Sequence, residues 1–119
     1  MDNPVAEFNA YRSRMNEALL AEASTTIKRI FNLDQSAYTK GSLDEGTKEL
    51  MGLVASTVLR CDDCIKYHLE QCYSLHISKQ AVLEALEIAT VVGGSIVIPH
   101  LRKAYEYWGQ IEAHAEKKL

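Results

Sequence analysis

The sequence predicts an all-α fold, a compact bundle of about five or six helices. Two observations carry that prediction. Apolar residues recur three and four positions apart along most of the chain, and no stretch keeps the period of two that a half-buried strand requires. Residues suited to capping helices also stand ahead of the periodic stretches, at Asn3, Ser42, Ser78 and Ser95.

Asn3-Pro4 reads as an N-cap followed by proline at the first helical position. Val5, Phe8, Met15, Leu19, Ala23, Ile27, Ile30 and Phe31 then mark one long amphipathic helix. A bend is expected near Ser24-Thr25-Thr26, where three poor helix formers adjoin. The polar stretch from Asn32 to Lys40 predicts a short helical turn, closed by Gly41. Ser42-Leu43-Asp44-Glu45 has the spacing of a capping box and opens a helix with Leu50, Leu53, Val54, Thr57 and Val58 on its inner face. The next helix begins around Cys61–Asp63 and buries Ile65, Leu69 and Cys72. Ser78 caps another, with Val82, Leu83, Leu86 and Ala89 inward, and Gly93-Gly94 ends it. Ser95 is expected to cap the last helix, where Pro99 falls in the permissive first turn. That helix runs through Tyr105 and Trp108 to a charged Glu116-Lys117-Lys118.

With 119 residues, 47% of them hydrophobic and 24% charged, the chain can form one domain over 1–119 and bury a core without disulfide staples. The net charge is −3 and no basic block is present, so neither nucleic acid nor an anionic membrane is an expected partner. The apolar run Ile96–Ile98, with Val91-Val92 before it, is broken by Gly93-Gly94 and followed by Pro99. It falls far short of the roughly 20 residues a membrane span needs. Met1-Asp2-Asn3-Pro4 lacks the basic and apolar regions of a secretory leader, so a cytoplasmic location is expected. Val91 to Ile98 and the first helix carry more apolar surface than one small bundle consumes, which points to a homo-oligomer.

Chemistry concentrates in Cys61-Asp62-Asp63-Cys64-Ile65-Lys66-Tyr67-His68, with Glu49 ahead of it. On a helix Cys61, Cys64 and His68 share one face, and the imidazole projects back toward Cys64, within reach directly or through one water. A cysteine at a helix start has its thiolate stabilised by free backbone N–H groups. Arg60 adds a cation there, while Asp62 and Asp63 act in the opposite direction. A carboxylate–imidazole pair of Glu49 and His68 can take a proton from Cys64.

Simpler readings stand beside these. A Cys-x-x-Cys can arise by chance on a buried face, and Glu49 alone reads as a solvated helix residue. Cys72 reads as a small buried hydrophobe. His76, His100 and His114 have no organised partners in the sequence, with His100, after the Gly-Gly break, the first candidate for an exception. Zinc is the rival for the cysteines. Yet Cys61 to Cys72 spans roughly 16 Å of one helix, whereas zinc–ligand bonds are about 2.0–2.3 Å.

Glu49, the Cys61-x-x-Cys64-x-x-x-His68 spacing and an alanine- and valine-rich helix ending in Gly93-Gly94 together resemble the alkyl hydroperoxidase D-like group of the carboxymuconolactone decarboxylase superfamily. The resemblance covers about Gly41 to Trp108. It implies an all-helical homo-oligomer, trimer or hexamer, with peroxidase or thiol–disulfide oxidoreductase activity. It implies no bound cofactor or metal, a small peroxide or disulfide as substrate, and an external thiol reductant. By resemblance, Cys64 attacks the peroxide, Cys61 resolves the resulting sulfenic acid to a disulfide, and Glu49 and His68 relay protons. The best-known member has a further histidine between its cysteines, where this chain has Asp63. The decarboxylase branch, a lyase reading, does not use a cysteine pair, and Cys61 and Cys64 argue against it here. A redox sensor or interaction protein and a structural zinc protein are the remaining alternatives.

Overall fold

The computed structural model describes residues 3–117. Met1 and Asp2, which enter the leader reading, and Lys118 of the charged tail lie outside them. Six helices follow in order: α1 (Pro4–Glu22), α2 (Thr25–Ala37), α3 (Glu45–Val58), α4 (Asp62–Ser74), α5 (Lys79–Gly93) and α6 (Ile98–Lys117), the last entered through a 3₁₀ turn over Ser95–Val97. There is no strand among the described residues, and the fold is all-α. None of these helices is long and apolar enough to cross a membrane.

The expected start of α1 is observed: Asn3 Oδ1 accepts the Ala6 N–H at 3.0 Å, and Pro4 opens the helix where its missing N–H is harmless. The expected single bent helix is two helices. Ala23 and Ser24 are extended, and Ser24 Oγ accepts the Ile27 N–H at 3.3 Å, so a fresh cap replaces continuation. α2 then continues to Ala37, well into the stretch whose polarity predicts only a turn. It buries no side chain, so polar residues do nothing to stop it.

The capping box is also displaced. Asp44, not Ser42, caps α3, accepting the Thr47 N–H at 2.7 Å, and Glu45 becomes the first helical residue. That backbone bond holds the Asp44 carboxyl below its ordinary range. Ser78 caps α5 as expected, through the Ala81 N–H at 3.1 Å, but Ala85 rather than Leu83 takes the fully inward position. Ser95 makes no cap; it opens the 3₁₀ turn instead. Gly94 takes φ 87° there, and a Cβ on Gly93 would collide with the buried Val97.

The core lies where α3, α4 and α5 meet, with α6 laid on α4 and α1 on α6. Leu53 of α3, Ile65 and Leu69 of α4, and Val82 and Leu86 of α5 are each at most 1% exposed. Burial of such a side chain is worth about 1.5–3 kcal/mol. Trp108 of α6 meets Tyr73 edge-on at 5.5 Å, and Phe8 of α1 meets Tyr107 at 6.1 Å.

Two junctions frame α4. After α3, Arg60 takes φ 62°, its N–H bonds the Thr57 carbonyl and the Cys61 N–H bonds the Ser56 carbonyl, both at 3.0 Å. After α4, His76 also takes φ 62°, with His76 bonded to Tyr73 and Ile77 to Cys72, again at 3.0 Å. Both are Schellman stops, which satisfy the last carbonyls of a helix and turn the chain sharply. The first delivers Cys61 directly onto the start of α4.

Candidate active site

Cys61 is the N-cap of α4, and its Sγ accepts the Cys64 N–H at 3.4 Å. Cys64 sits in the first turn, open to solvent. The two cysteines are free and approach each other to 2.6 Å. One turn on, His68 is buried, and its Nδ1 lies 2.8 Å from Oε1 of Glu49 on α3, a carboxylate only 5% exposed. A buried carboxylate and imidazole in this contact compensate one another and fix the orientation of the ring. Glu49 therefore belongs to the interior, not to a solvated face.

The other side of the imidazole is occupied by a residue that no motif or spacing singles out. Tyr38, at the C-cap of α2, brings its hydroxyl to 3.5 Å from His68 Nε2, the outer limit of hydrogen bonding, with ring centroids 5.3 Å apart. Gly52 makes room for both. A Cβ there would lie 2.6 Å from His68 Cε1 and 2.7 Å from the Tyr38 oxygen. The signal for Gly52 was legible, since a glycine inside a helix costs about 1 kcal/mol against alanine and calls for a packing reason.

A cleft of about 820 Å³ opens between α1, α2 and α4, and Cys64, Tyr67 and His68 line it together. Arg12 and Lys28 bring positive charge to its walls and Phe31 an apolar face. The Arg12 guanidinium stands 4.5 Å from the centre of the Tyr67 ring. Desolvation by the cleft pushes the Cys64 thiol up to about 11, assisted by its contact with Cys61 and by the charges of Cys61, Asp63 and Asp34. Cys72 is fully buried, and burial, with Glu49 second, pushes it up to about 12, which suits a core thiol.

The structure thus brings Glu49 to His68, Cys61 to Cys64, and Cys64 and His68 into one cleft. Among the described residues no hydrogen bond joins His68 directly to Cys64. Two further histidines prove to have partners that the sequence did not show. His100 Nδ1 lies 2.7 Å from Asp62 Oδ1, beside Lys103 at 3.2 Å, and His114 Nδ1 lies 2.9 Å from Asn3 Nδ2. Burial opposes ionisation of Asp62, but the bonds from His100 and Lys103 outweigh it and hold the carboxyl below its ordinary range.

Residues 25–107, a span that contains Tyr38, Glu49, Gly52, Cys61, Cys64 and His68 but not the α1 wall of the cleft, match the carboxymuconolactone decarboxylase family. Among curated proteins, alkyl hydroperoxide reductase AhpD of Corynebacterium kroppenstedtii is 36% identical over 62 residues, covering 52% of this chain but only 36% of that protein's own length. An uncharacterised protein of the cox locus of Paracoccus denitrificans is 24% identical over 67% of this chain and 72% of its own. A crystal structure of a Thermotoga maritima protein superposes with a TM-score of 0.90 at 51% identity, covering 93% of this chain and 97% of that one. A second crystal structure of that protein describes it as a carboxymuconolactone decarboxylase family member for which a part in antioxidative response has been suggested. A family protein from Legionella pneumophila shares the fold, with a TM-score of 0.84 at 22% identity over 92% of this chain and 98% of its own. The chain belongs to the carboxymuconolactone decarboxylase family.

Proposed function

We propose that this protein is a thiol-dependent oxidoreductase that reduces a small peroxide or disulfide with the Cys61–Cys64 pair. The observation that carries the reading is two free cysteines 2.6 Å apart, one of them lining a cleft together with an imidazole that a buried carboxylate holds. The AhpD relative and the antioxidative role suggested for the Thermotoga protein support it. The cysteine pair also favours redox chemistry over the lyase reaction for which the family is named.

A thiol pushed up to about 11 is only about one part in ten thousand thiolate at pH 7, so Cys64 needs a base. His68 supplies it, and the Glu49 carboxylate compensates the imidazolium that forms. The Cys64 thiolate then attacks one peroxide oxygen and the O–O bond breaks. The departing oxygen takes a proton and leaves as water or an alcohol, and Cys64 becomes a sulfenic acid. Cys61 attacks that sulfur, water leaves, and a disulfide remains. Two electrons have passed from the thiol pair to the peroxide, and an external thiol or dithiol returns them. Asp63 stands where it adds negative charge beside the attacking thiol.

We place this activity in a cytoplasmic homo-oligomer, trimer or hexamer. The exposed apolar side chains of Ile88, Val91, Val92 and Ile96 support assembly, and light scattering tests it. The functional reading is tested by counting free thiols before and after one equivalent of hydrogen peroxide or an organic hydroperoxide. Rapid loss of two thiols, reversed by a dithiol and absent in Cys64→Ser, is expected. Reaction no faster than that of an ordinary exposed thiol, or full turnover in Cys64→Ser, would overturn it.

A further inference from the structure

Nδ1 of His68 is taken by Glu49 and Nε2 faces the Tyr38 hydroxyl, and among the described residues no hydrogen bond joins the imidazole to the Cys64 thiol. A base that serves Cys64 from this position needs a link, and three features of the fold converge on Tyr38 as that link. The first is its anchoring. α2 buries none of its own side chains, yet Lys48 of α3 reaches across to the carbonyls of Ala37 at 2.9 Å and Thr39 at 2.7 Å, the residues on either side of Tyr38. A cation on the final carbonyls of a helix is favourable in itself. Here it pins the end of α2 where Tyr38 meets the imidazole. The second feature is Gly52, whose missing side chain leaves the space in which the hydroxyl and Nε2 meet. The third is that Lys48, Glu49 and Gly52 all lie in one stretch of α3. A single helix therefore anchors the tyrosine, engages the far side of the imidazole and clears the gap between them.

We propose that Tyr38 is a positioning residue for His68 and the link through which that imidazole takes the proton of Cys64, completing a relay Glu49–His68–Tyr38. The inference rests on the thiol chemistry proposed above. As the Tyr38 O–H gives its proton to Nε2, the thiol proton, passed directly or by one water, replaces it on the phenol oxygen. One proton has moved from sulfur to imidazole, tyrosine is neutral before and after, and the products are a thiolate and an imidazolium held by Glu49. Nε2–H then donates back to the phenol oxygen, so the hydroxyl serves both states.

The charged and titratable groups around this relay come from every wall of the site. Asp34 of α2, Glu49 of α3, and Tyr67 and Cys64 of α4 act on Tyr38, while Asp63 and Arg12 stand by the cleft. Burial first, then Glu49, pushes the Tyr38 phenol upward, so it keeps its proton across the neutral range.

The test uses the full chain carrying Cys61→Ser, so that Cys64 is the accessible thiol and the α4 cap is kept. The rate at which uncharged iodoacetamide alkylates Cys64 is followed by mass spectrometry from pH 6 to about pH 11, with Tyr38 intact and as Tyr38→Phe. Loss of the hydroxyl is expected to slow alkylation about tenfold or more near pH 7. The gap should close as pH rises and hydroxide ionises the thiol without help. Lys48→Met should reproduce part of the deficit, and Lys48→Arg, which can still bond two carbonyls, should recover it. No deficit at neutral pH would overturn the proposal, and so would one that stays constant across the range, as a merely structural loss would. Alkylation requires no peroxidase activity. Intact alkylation behaviour in a protein that consumes no peroxide would therefore sink the functional reading and leave the relay standing.

Discussion

The two ends of α4 are built from the same device and put to different uses. Each junction is a Schellman stop with a non-glycine residue at φ 62°, Arg60 before the helix and His76 after it. At the far end Ile77 closes the stop and a separate residue, Ser78, caps α5. At the near end one residue does both, since Cys61 donates its N–H to α3 and accepts the Cys64 N–H into its sulfur. The shorter junction lacks one residue and brings the Cys61 sulfur to the start of a helix, three positions from Cys64. The charges differ too. α4 begins with Asp62 and Asp63, while α5 begins with Lys79, which lies 5.0 Å from the Tyr105 ring. Acidic residues at a helix start favour the fold but disfavour a thiolate beside them, so the near junction trades ease of ionisation for helix stability.

The two junctions separate most clearly when each cap is replaced in turn. Cys61→Ser keeps an oxygen acceptor at the N-cap, so the thermal midpoint should hold or rise slightly while peroxide-driven disulfide formation is lost entirely. Ser78→Ala should do the reverse, lowering stability by about 1 kcal/mol with thiol turnover unchanged. Denaturant titration and thiol counting on the two variants check both halves, and lost turnover in Ser78→Ala would show that the junctions are not independent. Next in size, Arg60→Gly and His76→Gly should each raise stability by up to about 1 kcal/mol, because a left-handed residue with a Cβ is strained. Equal gains would mean that the two stops are equivalent as well as alike. The smallest effect concerns Asp62. Its lowered carboxyl contributes stability above the unfolded value of 3.8 that is lost as pH falls through the lower folded value. Partial exposure screens this to under ~1 kcal/mol. An acid titration of stability should show a shallower fall in Asp62→Asn than in the parent chain.

What the sequence disclosed follows the range of the interactions involved. Asn3 and Ser78 were legible as caps because a cap bonds a backbone N–H three residues away, well within local reach, whereas Cys61 was legible only as a residue at the start of α4. Ile65, Leu69 and Cys72 were legible as core because their spacing repeats a helical turn. Asp44 was missed at the start of α3 because two oxygen-bearing residues, Ser42 and Asp44, competed and the carboxylate is the stronger acceptor. In the site, Glu49 and His68 could be paired from their place on neighbouring helix faces. Tyr38 could not. It stands in a polar stretch with no periodicity, and its partners come from α3 and α4. Lys48 and the partner of His100 were hidden for the same reason, since each contact runs across elements that only the folded chain brings together, although His100 itself stood out after the Gly-Gly break.

Trp108 is the only tryptophan of the chain and is 4% exposed, with the Tyr73 ring edge-on against it. Its position on α6, facing α4, gives the molecule an optical gauge that requires no label. A shielded indole emits at short wavelength, and loosening of α6 from α4 would move the emission toward the red. The same two helices are joined beside the cysteines by Asp62 and His100. Fluorescence recorded during oxidation can therefore report, in the same cuvette as the chemistry, whether the disturbance stays at the thiols or travels along α4 into the core.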